Sequence, residues 1–95
     1  MTVKHLIVCY DVEKTKDRTK VIKVLEYYGL IRVQYSVFMG SLTETRLHQM
    51  NARIKREFTK PSIKILVIEV CNACMERALL VHEELPKVNR QFEVI

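Results

Sequence analysis

An aspartate at the end of the first hydrophobic run is the residue best placed to do chemistry. Asp11 directly follows the largely apolar run 6–10. A carboxylate at the end of a strand can leave the sheet and bind a hard cation, and magnesium often takes only one or two protein carboxylates together with water and substrate phosphates. An aspartate in this position more commonly serves a turn. The residues alone therefore leave a magnesium ligand and a turn residue as alternatives.

Two further carboxylates close to Asp11 have simpler explanations. Asp17 falls in the first turn of a predicted helix, where the helix dipole favours an acid. Glu13 is most simply a solvated loop residue. We expect neither of them to be a metal ligand.

The basic residues are unevenly distributed along the chain. Residues 1–60 hold twelve Lys and Arg against six Asp and Glu, residues 61–95 hold four against five, and the net charge is +5. A local excess of positive charge indicates a polyanionic partner. Nucleic acid is favoured over a membrane surface because no basic helix has a lipid-seeking aromatic face, and no apolar run is long enough to cross a bilayer. A merely solubilising surface is the alternative.

Part of this charge recurs along one stripe of a predicted helix. The stripe consists of Arg46, Arg53, Arg56 and Lys60. Such a row can follow a phosphate backbone with sequence-independent, salt-sensitive contacts, but a solvated helix face explains it slightly better. Lys14 and Lys16, close to Asp11, present the same two alternatives.

The cysteines suggest a reducing compartment. Three cysteines without a signal-peptide pattern favour free thiols and a cytoplasmic protein. Cys71-x-x-Cys74 suggests zinc or redox chemistry, but His82 is only one further candidate ligand, so a structural role is favoured. His5 and His48 show no ligand spacing.

Hydrophobic periodicity and turn residues divide the chain into short elements. We predict a strand over 5–10 ending at Asp11-Val12, a helix from the N-cap Thr15 to Tyr28 stopped by Gly29, and two strands or one bent strand over 30–39 closed by Gly40. A second helix over 43–59, a central strand over 63–70, a short helix from Ala73 to about Glu84 and a last strand over 91–95 follow. The order β-α-β-β-α-β predicts an α+β, ferredoxin-like domain spanning residues 1–95.

Two segments of the sequence carry more specific information than the fold class. They are the strand 6–12, with its Tyr10-Asp11 pair, and the segment 32–40, which contains Gln-Tyr-Ser-Val-Phe-Met-Gly. Together they resemble the CRISPR-associated protein two family, the small subunit that joins the integrase in spacer acquisition. The Gln-Tyr-Ser-Val-Phe-x-Gly core is the more specific motif, and the similarity in element order covers essentially the whole chain.

The resemblance implies a homodimer in which the C-terminal strand of each protomer extends the other's sheet and the two Asp11 residues face each other. It also implies an integrase partner and nucleic acid as ligand. Some family members are described as magnesium-dependent nucleases acting on RNA or double-stranded DNA, others as scaffolds without catalysis. We expect double-stranded DNA and magnesium-dependent cleavage, with a DNA scaffold or a toxin-type ribonuclease as alternatives.

The resemblance also assigns residues to the site. Matched to the family, the catalytic residues are Asp11, Arg18, Arg32, Tyr10, Ser36 and Phe38, with Asp11 as the magnesium ligand. The expected nucleic-acid contacts are Lys14, Lys16, Arg18, Lys20, Arg32, Arg46, Arg53 and Arg56. Core packing is the alternative for Tyr10, core packing or the dimer interface for Phe38, and a structural hydroxyl for Ser36. Lys20 keeps the charge of a family position but lacks the forked donors of arginine.

Overall fold

The computed structural model of the chain describes residues 3–81. Its elements are β1 (Val3–Val12), α1 (Thr15–Tyr27), β2 (Ile31–Gln34), β3 (Val37–Thr43), α2 (Glu44–Glu57), β4 (Ile63–Val70) and α3 (Asn72–Glu76). The strands form one sheet in the order β2-β3-β1-β4, and every neighbouring pair is antiparallel. This arrangement confirms the predicted ferredoxin-like β-α-β-β-α-β fold with a short helix after it.

The central strand β1 separates the two faces of the sheet. Its even-numbered residues Leu6, Val8, Tyr10 and Val12 are buried, and they share one core with the buried residues of α1 and α2. Side chains alternate across a strand, so Asp11 projects from the other face, where it is exposed. We call that second face, away from α1 and α2, the open face of the sheet.

Helix α1 ends as its sequence predicts. Gly29 has a φ of +84°, a conformation that glycine adopts without steric cost. The N–H of Gly29 donates to the carbonyl of Glu26, and the N–H of Leu30 donates to that of Leu25, which is a Schellman arrangement. The predicted start is wrong by one residue: Lys14 occupies the N-cap position, with no side-chain cap, and Thr15 is the first helical residue.

The segment after α1 is two strands rather than one bent strand. Tyr35 and Ser36 form the turn between β2 and β3. The prediction that Gly40 closes the second strand is wrong, because β3 continues to Thr43. A Cβ on Gly40 would collide with the side chain of Leu30 and lie 3.2 Å from its Cα, so any larger residue at this strand position requires Leu30 to move.

Helix α2 begins beside the predicted position. Thr43 is its N-cap, and the Thr43 hydroxyl accepts from the N–H of Arg46 at 3.3 Å. This contact satisfies one of the unpaired N–H groups of the first turn. The helix buries Leu47 and Met50 and ends at Glu57, two residues earlier than expected.

The last two described elements correct two expectations. Within residues 3–81, β4 pairs with β1 alone and is an outer strand of the sheet, not a central one. Helix α3 covers only Asn72–Glu76, because Arg77 is its C-cap and the predicted extension to Glu84 does not form over 77–81. The predicted C-terminal strand 91–95 lies outside the described residues. No helix over residues 3–81 is both long and apolar enough to span a membrane.

Candidate metal and nucleic-acid site

Asp11 lies near the end of β1 on the open face of the sheet. Its carboxylate is exposed, and Lys64 stands directly opposite it on β4. Cys9, Lys64 and Leu66 line a shallow cleft of about 240 Å³ beside it. The site therefore places one carboxylate and one ammonium group at opposite positions of two neighbouring strands, next to a largely apolar cleft.

Lys64 is a residue that sequence reasoning missed. The alternation of β4 places Lys64 and Leu66 on the same face, so the sequence contained that part of the signal. Its position opposite Asp11 depends on the register of two strands separated by about fifty residues of chain. A pattern within one strand carries no information about that register.

The side chains around Asp11 supply only part of the ligand set that a magnesium ion needs. Among residues 3–81, no group of three or more His, Cys, Asp or Glu side chains is close enough to hold a metal ion. Asp11 supplies a single hard oxygen donor group, which suits magnesium when a second carboxylate or substrate phosphates complete the shell. One chain as described therefore fits the ion only if a second copy or a bound phosphate supplies further oxygen ligands.

Arg18 folds back over the loop that follows Asp11. Its guanidinium donates to the carbonyl oxygens of Val12 at 2.9 Å and Glu13 at 3.1 Å, and to the Thr15 hydroxyl at 2.9 Å. The planar fork of arginine suits several acceptors at once. These three contacts, which we call the Arg18 clamp, fix the path of the chain between β1 and α1. They thereby fix the position of Asp11.

Three of the expected catalytic residues meet on the helix-facing side of the sheet. An Arg32 Nη donates to the Tyr10 hydroxyl at 3.4 Å, and the guanidinium carbon lies 5.6 Å from the centre of the Phe38 ring. The Tyr10 and Phe38 rings lie 6.1 Å apart. Both rings are buried, with Phe38 only 1% exposed, whereas Arg32 is exposed. Tyr10 thus points away from the Asp11 face, as strand alternation predicts.

Ser36 lies in the β2–β3 turn and not within a strand. The Ser36 carbonyl accepts from the Tyr10 N–H at 3.1 Å. The turn is therefore held against β1 one residue before Asp11, and the two chain segments of the sequence motif meet at this end of the sheet.

The expected nucleic-acid contacts fall in two regions. Lys14, Lys16 and Lys20 are exposed around the start of α1. The α2 arginines lie on the helical layer, where the Arg46 guanidinium stacks 5.0 Å from the Tyr28 ring centre and that of Arg53 stacks 5.2 Å from the centre of the Tyr27 ring. The structure does not bring this second region onto the Asp11 face.

Two of the stripe residues also form ion pairs. The Arg53 Nε donates to a Glu57 carboxylate oxygen at 2.7 Å, and this hydrogen bond raises the pKa of the Arg53 guanidinium above its ordinary value. The Lys60 ammonium lies 3.6 Å from the Asp17 carboxylate, which is buried in the first turn of α1. Arg56 is exposed. The stripe is thus partly engaged in packing α1 against α2, and it is not a simple solvated row.

Comparison with known proteins gives one consistent family. The model of the family CRISPR associated protein Cas2 matches residues 4–78. A CRISPR-associated endoribonuclease Cas2 of Methanospirillum hungatei is 99% identical over 95 residues, which is the whole of both chains. A crystal structure of a Cas2 protein superposes with a TM-score of 0.63 at 32% identity, over 72% of this chain and 75% of that one.

A second solved structure extends the similarity. It is a partial Cas6-RT-Cas1–Cas2 complex, one chain of which matches with a TM-score of 0.61 at 27% identity, over 90% of this chain and 93% of its own. The resemblance seen in the two sequence segments is confirmed: the chain belongs to the CRISPR-associated Cas2 family.

Proposed function

We propose that the chain works in the cytoplasm as a homodimeric, DNA-binding protein of CRISPR spacer acquisition and cleaves phosphodiesters with magnesium held by two Asp11 carboxylates. The observation that carries this proposal is the position of Asp11. It is an exposed carboxylate on an apolar sheet face, where a second copy of the chain can bring its own Asp11 opposite.

The open face has the character of a surface that another chain covers. Leu66 and Ile68 on β4 and Ile31 on β2 are 56%, 37% and 38% exposed, respectively. Ile7 and Cys9 on β1 are only partly buried. Contiguous exposed apolar residues mark interaction sites, and two-fold symmetry brings the same patch of both copies together. Asp11 lies at the edge of this patch, so the proposal requires a face-to-face dimer whose two-fold axis passes close to that edge, where the two carboxylates come together.

The chemistry that follows is phosphodiester hydrolysis. Magnesium, when bound, would stabilise charge on the scissile phosphate and lower the pKa of a bound water. Asp11 would hold the ion, and the Arg18 clamp would keep Asp11 in position. Arg32 is exposed and could contact a phosphate, but its guanidinium lies beside Tyr10 on the helix-facing side of the sheet, so it would do so away from the Asp11 face.

Nucleic-acid binding would use the cations around α1. Lys14, Lys16 and Lys20 are exposed beside the Asp11 end of the sheet. A row of cations of this kind binds phosphates without reading sequence. The matched chain comes from a complex that contains Cas1 and Cas2, and by analogy we propose the Cas1 integrase as the protein partner here.

RNA is the second candidate substrate. The Methanospirillum hungatei relative is called an endoribonuclease, and the cations described above do not distinguish the two nucleic acids. A ribonuclease would use the same Asp11 pair, so the two candidates differ in substrate and not in site.

The test is cleavage by the full chain and by Asp11→Asn, with double-stranded DNA and single-stranded RNA offered separately. Asparagine keeps the shape of the side chain and removes the charge that holds the cation. We expect magnesium-dependent cleavage by the unaltered protein, loss of at least a hundredfold in Asp11→Asn, and an unchanged dimer in both. Glu13→Gln removes a carboxylate two residues away and should keep full activity.

The outcomes separate the alternatives. Cleavage of RNA alone assigns the ribonuclease. Tight duplex binding without turnover, in protein freed of host nucleases, assigns the non-catalytic scaffold. Cleavage that persists in Asp11→Asn contradicts the proposed site.

A further inference from the structure

Two cysteines lie in one turn at the end of the sheet opposite to Asp11. Cys71 follows β4 and occupies the N-cap position of α3, and Cys74 is the third residue of that helix. Both are exposed. The N–H of Cys74 donates to the Cys71 sulfur at 3.4 Å. The two thiols therefore share a single turn, and one of them already contacts the backbone of the other.

The surroundings make the two thiols chemically different. Hydrogen bonds from the Cys74 N–H and the Cys74 thiol lower the pKa of Cys71. The hydrogen bond between the two side chains raises the pKa of the Cys74 thiol. Since the thiolate is the nucleophile in disulfide chemistry, Cys71 is the thiol that reacts first.

A polar cleft gives access to Cys71. Lys4, Glu69, Cys71 and Asn72 are among the described residues that line a volume of about 360 Å³. The Lys4 ammonium lies 3.8 Å from the Glu69 carboxylate. Groups of both signs beside the sulfur suit a small molecule that carries both carboxylates and an ammonium group.

The turn between the two cysteines is anchored to the sheet. The Asn72 side-chain oxygen lies 2.5 Å from Nε2 of His5, whose Nδ1 lies 2.7 Å from the Ser41 hydroxyl. His5 is buried in β1. These contacts hold Asn72, the residue next to Cys71, against the sheet. The turn that carries the two thiols is therefore fixed in position.

We propose that Cys71 and Cys74 are a redox-active dithiol that a small disulfide of the glutathione class oxidises to an intramolecular disulfide. The Cys71 thiolate attacks one sulfur of the small disulfide and expels one glutathione thiolate. The Cys74 thiolate then attacks the Cys71 sulfur and expels the second. Two protein thiols and one small disulfide become one protein disulfide and two small thiols, and the two protein protons end on the released thiols.

This inference does not depend on the proposed nuclease. Disulfides in the cytosol are commonly transient and redox-sensing, so the pair would report the thiol redox state of the cell. Cys9, which lies on β1 away from the turn, takes no part and serves as an internal reference.

The experiment equilibrates the full-length protein with mixtures of reduced and oxidised glutathione, blocks free thiols by alkylation and maps them by mass spectrometry. We expect the oxidised protein to lose two hydrogens and to be alkylated at Cys9 alone. Cys74→Ser should stop at a glutathione adduct on Cys71, formed several-fold faster than the adduct on Cys74 in Cys71→Ser. Serine is a good N-cap residue, so Cys71→Ser keeps the start of α3.

Several results would overturn the proposal. They are alkylation of all three cysteines in the most oxidising mixture, a disulfide that includes Cys9 or joins two chains, and faster adduct formation at Cys74 than at Cys71. Thiols that become reactive only after a chelator is added would instead assign a metal site and equally contradict the dithiol.

Discussion

Replacing Arg18 with lysine separates a positioning role from a phosphate contact. The sequence suggests that this side chain grips a phosphate, whereas the structure directs three of its N–H···O contacts to Val12, Glu13 and Thr15. A hydrogen bond typically contributes about 0.5–1.5 kcal/mol net. Two of these three are exposed, which places them at the low end, and lysine can replace one of them. We therefore expect Arg18→Lys to lower the free energy of unfolding by about 1 kcal/mol.

The loss should be visible as a fall in Tm of about 4–8 °C for a chain of this size. Duplex affinity and its salt dependence should hardly change, because lysine keeps the charge, while Asp11-dependent cleavage falls with the altered loop. Lys16→Gln is the matched control: it removes an exposed neighbouring cation and should weaken binding with an unchanged Tm. An unchanged Tm in Arg18→Lys, together with a shallower salt slope in Arg18→Gln, would refute the positioning role.

Three further predictions follow from other contacts. Leu66→Asp places a charge on the open face, where burying about half of a leucine side chain is worth about 1 kcal/mol per protomer. Sedimentation should therefore show the dissociation constant of the dimer raised at least about thirtyfold. Thr45→Asp, on the helical side, should leave the dimer intact. Gly40→Ala should cost about 1–3 kcal/mol by overpacking against Leu30, measured by urea unfolding, and an unchanged midpoint would contradict the collision. Arg53→Gln should keep the Tm, since the contacts of Arg53 with Tyr27 and Glu57 are exposed. If the α2 stripe contacts phosphates, the same change should lower the slope of log affinity against log salt concentration for DNA binding by about one. An unchanged slope would show that Arg53 is not in the interface.

The sequence predicts those features of the fold that depend on local patterns. The alternation around Tyr10 and Asp11 correctly places them on opposite faces, and Gly29 correctly marks the end of α1 because the left-handed position has a strong residue preference. The start of α1 was harder, since Lys14 is not a preferred N-cap residue. Gly40 was misleading: it is needed for a close approach to Leu30, not for a turn.

Features that depend on distant pairing could not be predicted from local patterns. The position of Lys64 opposite Asp11 follows from strand register. The Arg18 clamp follows from the angle at which α1 leaves β1, and nothing in the spacing of residues 11–18 specifies that angle. The apolar character of β4 on both faces suggested a central strand, although β4 is an outer strand of the described sheet. A face covered by a second chain gives the same sequence pattern as a buried one.

The separation of the two Asp11 carboxylates in a homodimer crystallised with magnesium tests the central proposal most directly. We predict that they face each other across the two-fold axis and hold magnesium between them, either as two ions about 4 Å from each other or as one ion that the carboxylates reach directly or through bridging waters. Carboxylates on opposite outer surfaces of the dimer, or a protein that stays monomeric at the concentrations used, would contradict it.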